Sequence, residues 1–283
     1  MKKYGVKGVV PMLVVALVLG LATSAFAAGK LSFGVKGGMG LMAPLIKGGD
    51  FLSENWNDMV DDLNQGLEDD KAWVESMGGT ASIDLAEQIT RGWNVEGYAQ
   101  YTITERFGFR GTVGYLMGMN SGFGLDAIEY WSDWWWDWMT EKMTSTISAT
   151  CLFISLEPVL TFPTGNFLLT FGAGPGYYMG KSSFTVTEEL SGLWSGTLLD
   201  LTIDAPLSGS KIGYRGFLGA EYSTDSLTIG AELGYRSTGE IETTGQATIK
   251  GEDGGVPVDE TEELTGKLDF SGLYILFGIG FAV

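Results

Sequence analysis

Hydrophobic and polar positions alternate with a period of two along most of this chain. In the first such segment Leu31, Phe33, Val35, Met39 and Leu41 share one face, and Ser32, Gly34, Lys36, Gly38 and Gly40 share the other. The same alternation recurs over Trp93–Ile103, Phe107–Met117, Leu152–Phe162, Phe167–Tyr177, Ile212–Tyr222, Leu227–Tyr235 and Leu273–Val283. Period two is the mark of a β-strand with unlike faces. Eight such segments of about ten residues predict an antiparallel barrel whose apolar face meets lipid.

A soluble β-sandwich would alternate in the same way, and the links separate the two. Those after the second, fourth and sixth segments are short: Thr104-Glu105-Arg106, Pro163-Thr164-Gly165-Asn166 and Ser223-Thr224-Asp225-Ser226. Those after the first, third, fifth and seventh are long and acidic. Tight turns at one end and long loops at the other describe the two rims of a membrane barrel. Aromatic residues of the apolar face fall in two sets. Tyr101, Phe107, Phe162, Phe167, Tyr222 and Phe281 lie near the short turns, and Trp93, Tyr115, Tyr177 and Tyr235 about eight residues further up. Eight residues of a tilted strand rise roughly 20 Å, close to the ~25 Å apolar band between aromatic girdles. The expected fold is therefore all-β: a transmembrane, up-and-down, eight-stranded antiparallel barrel.

The N-terminus adds the route. Lys2, Lys3 and Lys7, an apolar run from Val9 to Leu21 and the sequence Ala25-Phe26-Ala27 read as a signal peptide over residues 1–27, leaving 28–283 as the barrel. The apolar run is too short for a spanning helix. The whole chain carries a net charge of −18, which excludes a nucleic-acid footprint. The single cysteine, Cys151, cannot form an intramolecular disulfide.

These features resemble the small outer-membrane barrel superfamily that includes the OmpA transmembrane domain, OmpW and the opacity-type proteins. The resemblance runs from about Lys30 to Val283. It is carried by the order of four long and three short links and by the closing strand from Asp269 to Phe281. It implies an outer-membrane location, surrounding lipid as partner, insertion by the barrel assembly machinery and a monomeric state. Family members commonly end on an aromatic residue, whereas Phe281 here precedes Val283 by two positions.

Strand parity directs eight charges inward: Lys36, Arg110, Arg215 and Arg236, with Glu96, Glu157, Glu221 and Glu232. Buried charges must pair, and Glu232 and Arg215 lie within diagonal reach across a short turn, so a salt-bridged plug is expected. The alternative is a narrow porin passing a small solute. Inward Tyr98, Leu116, Leu168, Tyr178, Phe217 and Tyr274 also suit an apolar conduit of the kind the OmpW resemblance implies.

The first two long links look helical. Leu52, Trp56, Met59, Leu63 and Leu67 recur at helical spacing. In the second, Glu129, Asp133, Asp137 and Glu141 recur every four residues, a stripe suited to divalent cations. Trp131, Trp134, Trp135, Trp136 and Trp138 occupy the other faces. Such a helix is expected either to close over the first as a lid or to lie in the outer leaflet as an anchor.

Catalysis finds little purchase. The chain contains no histidine, and the barrel enzymes of the resembling class place one in the site. The Gly-rich run from Phe171 to Gly176 sits within a strand, without the helix that a dinucleotide loop requires. No cofactor is expected. The reading is a non-enzymatic outer-membrane protein, structural or surface-interacting.

Overall fold

The computed structural model describes residues 30–42, 44–48, 54–132, 137–224 and 227–282. The signal peptide expected over residues 1–27 lies outside them. Twelve strands are present among the described residues: β1 Lys30–Leu41, β2 Leu45–Gly48, β3 Thr80–Asp84, β4 Arg91–Thr102, β5 Phe107–Ser132, β6 Asp137–Thr164, β7 Phe167–Gly192, β8 Gly196–Ser223, β9 Leu227–Ser237, β10 Ile241–Asp253, β11 Val256–Asp269 and β12 Gly272–Ala282. Among the described residues there is one helix, α1, spanning Trp56–Ser76.

Eight of the strands close a ring. β1 pairs with β4 on one side and β12 on the other, β12 with β9, β9 with β8, and β4 through β8 pair in sequence, all antiparallel. These eight contain the eight alternating segments of the sequence. Closure leaves no unpaired edge, the condition for strands to cross lipid. The apolar parity points outward: Val35, Trp93, Phe171, Tyr214, Leu273 and Phe277 are all exposed. In water such a surface would be costly; in lipid it is the favourable face.

The long links differ from expectation in one respect. Three of them are largely not loops. β5 and β6 stay paired, through two register shifts, as far as Ser132 opposite Asp137, and β7 and β8, through one, as far as Gly192 opposite Gly196. The reason is visible on β6, where the inward set Ser145, Ile147, Ala149 and Cys151 continues above the belt while the outward set turns from Leu152 to Thr150, Ser148, Thr146 and Thr144. Alternation persists where the outward chemistry changes, with apolar Phe153, Cys151 and Ala149 inward on both sides of that boundary. On β5 a bulge at Met117–Gly118, with Gly118 at φ 74°, resets the parity, so that Met119 rather than an even-numbered residue faces in.

Above the belt β8 exchanges partners. Its Tyr214–Ser223 half pairs with β9, and its Leu199–Gly209 half pairs with β10 of the β10–β11 hairpin. The upper wall thus runs β3, β5, β6, β7, β8, β10, β11, β2. The first link forms a helix, as its spacing predicts. α1 buries Trp56, Val60, Leu67 and Val74 against inward residues of that wall, and just past its C-cap Met77 the chain turns at Gly78, which takes a left-handed φ of 83°.

Candidate functional site

The lumen at belt height is where the structure gathers its charges. Pairing places Lys36 opposite Glu96 across β1 and β4, Arg110 opposite Glu157 across β5 and β6, and Arg215 opposite Arg236 across β8 and β9. All eight charged residues singled out in the sequence join one connected network. Glu232 lies at its centre. It accepts hydrogen bonds from Lys36 Nζ at 2.6 Å, Arg110 Nη1 at 2.9 Å, Arg215 Nη2 at 3.0 Å and Tyr274 Oη at 3.3 Å. Glu96 accepts from Arg215 Nη2 at 2.9 Å and from Asn94 Nδ2 at 2.7 Å, and lies 3.7 Å from Arg236 Nη2. Glu157 lies 3.5 Å from Arg215 Nε and accepts from Thr112 Oγ1 at 3.1 Å. Glu221 lies 3.7 Å from Lys36 Nζ and 3.6 Å from Arg110 Nη2. The most exposed member, Glu221, is only 8% exposed. Four cations against four anions leave the network neutral, which is the condition for holding charge away from water.

Aromatic rings layer the cations. The Arg110 guanidinium lies 4.7 Å from the Tyr98 ring and 4.4 Å from the Phe217 ring. Arg236 lies 4.7 Å from Phe153 and 5.3 Å from Tyr274. In a desolvated site a ring face stabilises a cation. Each of these four rings also sits directly across from a glycine: Tyr98 opposite Gly34, Phe153 opposite Gly114, Phe217 opposite Gly172 and Tyr274 opposite Gly234. A Cβ on any of the four glycines would lie 2.2–2.4 Å from the ring it faces. At these four positions the space beside the glycine is taken by the neighbouring strand's ring. Phe153, Gln100, Asn94 and Thr112 were not among the expected site residues. Each shares inward parity with one that was, which is the signal that would have found them.

Above the network the lumen turns apolar. Leu116, Ile147, Cys151, Phe153, Tyr178 and Phe270 form a buried cluster, on which α1 lays Trp56 and Val60. Trp56 stacks on Phe123 at 6.3 Å. Two asparagines seven apart on α1 clip the returning segment. Asn57 accepts from Ile89 N at 2.7 Å and donates to Ile89 O at 2.9 Å; Asn64 accepts from Ala86 N at 2.7 Å and donates to Ala86 O at 3.1 Å.

The Trp-rich link is the main correction. It is not helical where it is described, but the tip of the β5–β6 hairpin, with Trp131 opposite Trp138. Spacing four is ambiguous, since residues four apart share a strand face as well as a helix face. The extended form wins by pairing β6 with both β5 and β7. Trp138 points outward, and Trp56 takes Phe123 as partner, so a lid built from two helices is not formed. Asp133, Trp134, Trp135 and Trp136 lie outside the described residues, as do the side chains of Glu129 and Trp131. Asp137 is buried at the hairpin end, where its carboxylate accepts from Trp138 N at 2.8 Å, Trp194 N at 3.0 Å and Ser195 N at 2.9 Å, and from the Ser195 hydroxyl. Burial pushes its carboxyl up, but these donors outweigh that and hold it below the usual carboxylate range. Asp137 is thus spent on tying the β5–β6 tip to the β7–β8 tip, and Glu141 sits on the inward face of β6. Among the described residues no three acidic or cysteine side chains gather as a metal site.

A closed eight-stranded barrel, apolar outside and charged inside, is the membrane-spanning class of β-barrel. No family model matches the chain, and no curated protein matches its sequence. Solved structures it is similar to include the outer membrane protein OprG from Pseudomonas aeruginosa, at 13% identity over 90% of this chain and 96% of that one, with a TM-score of 0.36. A major outer membrane protein from Thermus thermophilus gives 12%, 90%, 100% and 0.36, and the attachment invasion locus protein Ail of Yersinia pestis gives 11%, 90%, 99% and 0.32. At these values the assignment of class rests on the strand pairing and the two faces of the barrel.

Proposed function

We propose that the chain is a non-enzymatic outer-membrane barrel whose lumen is closed and whose working surface is the sheet raised above the lipid. The observation that carries this reading is the eight-charge network, buried and neutral, with four aromatic rings filling the glycine positions beside it and α1 packed over the top. A lumen filled this way leaves the membrane half as an anchor. The charge of the chain supports the same division. The sequence stretches between belt segments, 43–91, 118–150, 180–211 and 237–270, hold 29 of the 35 acidic residues and 8 of the 17 basic ones. The acid excess therefore belongs to the raised part, where it keeps the surface solvated and steers what approaches. The barrel acts as a monomer, held by outer-membrane lipid after insertion by the assembly machinery. Absence of histidine from the sequence supports a role without catalysis.

Swelling of vesicles in isotonic sugars tests the reading. Vesicles carrying the refolded protein are expected to stay as tight to arabinose and glucose as protein-free ones. Swelling at a rate that follows solute size would establish a narrow porin instead.

A further inference from the structure

The outer face of the raised sheet is ordered by chemistry in rows across the strands. At the top of the belt the row Ile154, Tyr177, Ile212 is apolar. Two rows higher the outward residues are Thr150, Lys181, Ser208 and Thr244. Next come Asn120, Ser148 and Ser183 with Pro206 beside them, then Gly122, Thr146, Thr185 and Thr248 with Asp204 among them. A further row sets Gly124, Thr144, Thr187 and Thr202 beside Lys250. Only above that does charge dominate, with Asp126, Lys142, Glu189, Asp200 and Glu252 in line.

Between lipid belt and acidic rim, then, lies a window of hydroxyls spanning β6, β7, β8 and β10. Neighbours stand about 4.8 Å apart across strands and about 6.7 Å apart along them. Threonine favours any solvated strand, so its presence alone says little. The sorting says more. This chain places acid over most of its raised surface, yet on β6, β7, β8 and β10 these four rows hold Lys181, Asp204 and Lys250 as their charges, with Asp84 of β3 and Asp259 and Glu263 of β11 at the two ends. Asp204 is engaged by the hydroxyls of Ser183 and Thr185, both at 3.4 Å.

We infer that this hydroxyl window binds the saccharide headgroups of glycolipid in the leaflet around the barrel. Each hydroxyl both donates and accepts, as a sugar hydroxyl does, so an array of them matches a saccharide without fixed charge. On β6, β7 and β8 the window continues upward from the lipid-facing rows of the same strands. A molecule whose acyl chains lie along Leu152, Ile154 and Ile212 must present its headgroup at this height. Tyr177, whose hydroxyl donates to Ser210 Oγ at 2.6 Å, marks the changeover. Lys181, in the first hydroxyl row, suits a phosphate at the base of such a headgroup.

The inference rests on the outer-membrane reading, and the test separates the two. Wild-type protein and the T144V/T146V/T185V/T187V variant are refolded into phosphatidylcholine vesicles with and without lipopolysaccharide carrying only the core oligosaccharide, and their melting midpoints are compared. Valine keeps the shape and strand preference of threonine and removes the hydroxyl. The glycolipid is expected to raise the wild-type midpoint, and the variant to lose at least half of that shift while keeping its midpoint in phosphatidylcholine alone. Serine at the same four positions should retain the shift, which covers the case where valine disturbs folding. An equal shift in wild type and valine variant, no shift in wild type, or the same shift from delipidated core oligosaccharide would each overturn the inference. Failure of the wild type to insert into phosphatidylcholine would overturn the membrane-barrel reading itself.

Discussion

Arg215 and Arg236 stand directly opposite each other across β8 and β9, two guanidiniums side by side in the buried lumen. Like charges in that position repel unless an anion is shared between them. Glu96 is that anion, 2.9 Å from one and 3.7 Å from the other. Replacing it by glutamine should therefore cost more than one salt bridge at the surface would. We expect Glu96→Gln to lower the unfolding free energy in urea by about 3–5 kcal/mol, the cost of leaving a buried charge without its partner. Adding Arg236→Gln should recover part of that loss, because the second change removes the orphaned charge. A loss below about 1 kcal/mol in the single variant would show that the network is wet or loosely held.

The glycine-facing rings predict a second pattern. A methyl group at Gly234 would lie 2.2 Å from Tyr274 Cζ, and that ring is held by hydrogen bonds from Arg215 and to Glu232. Gly234→Ala should destabilise the barrel by about 1–3 kcal/mol, the usual range for overpacking. Gly97→Ala, on the outward face with nothing near its Cβ, should be close to neutral. The temperature at which the folded band is lost, when samples are heated stepwise before electrophoresis, would report both; equal effects would contradict the pairing of rings with glycines.

Much of the lumen is legible in the sequence, because a barrel wall makes parity a three-dimensional statement. Once Glu96 and Arg110 are known to face inward, so are Gln100, Tyr98 and Thr112. Height is not legible in the same way. Nothing in the alternation of Ile147, Ala149 and Cys151 marks where lipid ends, since the inward face is apolar on both sides of the height at which the outward face changes to Thr150, Ser148 and Thr146. Segments expected as loops are strands for that reason. The stripe from Glu129 to Glu141 misleads through arithmetic, four being a multiple of two as well as close to a helical turn. The helix over Trp56, Met59, Leu63 and Leu67 forms as its spacing predicts because it mixes steps of three and four, which a strand cannot place on one face.

Asp137 gives a pH-dependent prediction. Its folded-state pKa is depressed, so the order it confers is complete above the ordinary carboxylate value and lost as pH falls through the lower folded value. Amide exchange at Trp194 and Ser195 should be slow and insensitive to protonation of Asp137 between about pH 5 and 8. Asp137→Ala should speed exchange at both amides at about pH 6, leaving amides of β1 and β12 unchanged. Unaltered protection at Trp194 and Ser195 would mean that the two hairpin tips are not joined by this carboxylate.

The asparagine clip predicts local rather than global loss. Asn64→Ala removes both hydrogen bonds to Ala86, worth about 0.5–1.5 kcal/mol each. Cleavage by added protease should then appear between Leu85 and Thr90 in folded protein, with the barrel band intact. Protection equal to wild type would show that burial of Trp56 and Val60 alone holds the segment.

Single-channel recording across a planar bilayer tests the proposed closed lumen most directly. The wild-type protein, inserted and verified as folded, should show no steady conductance, because Glu232 and its three cations occupy the passage together with the rings of Tyr98, Phe153, Phe217 and Tyr274. Arg215→Ala, which opens the contacts to Glu96, Glu157 and Glu232 at once, should give brief openings. A stable, ohmic conductance from wild-type protein, unchanged by Arg215→Ala, would contradict the account.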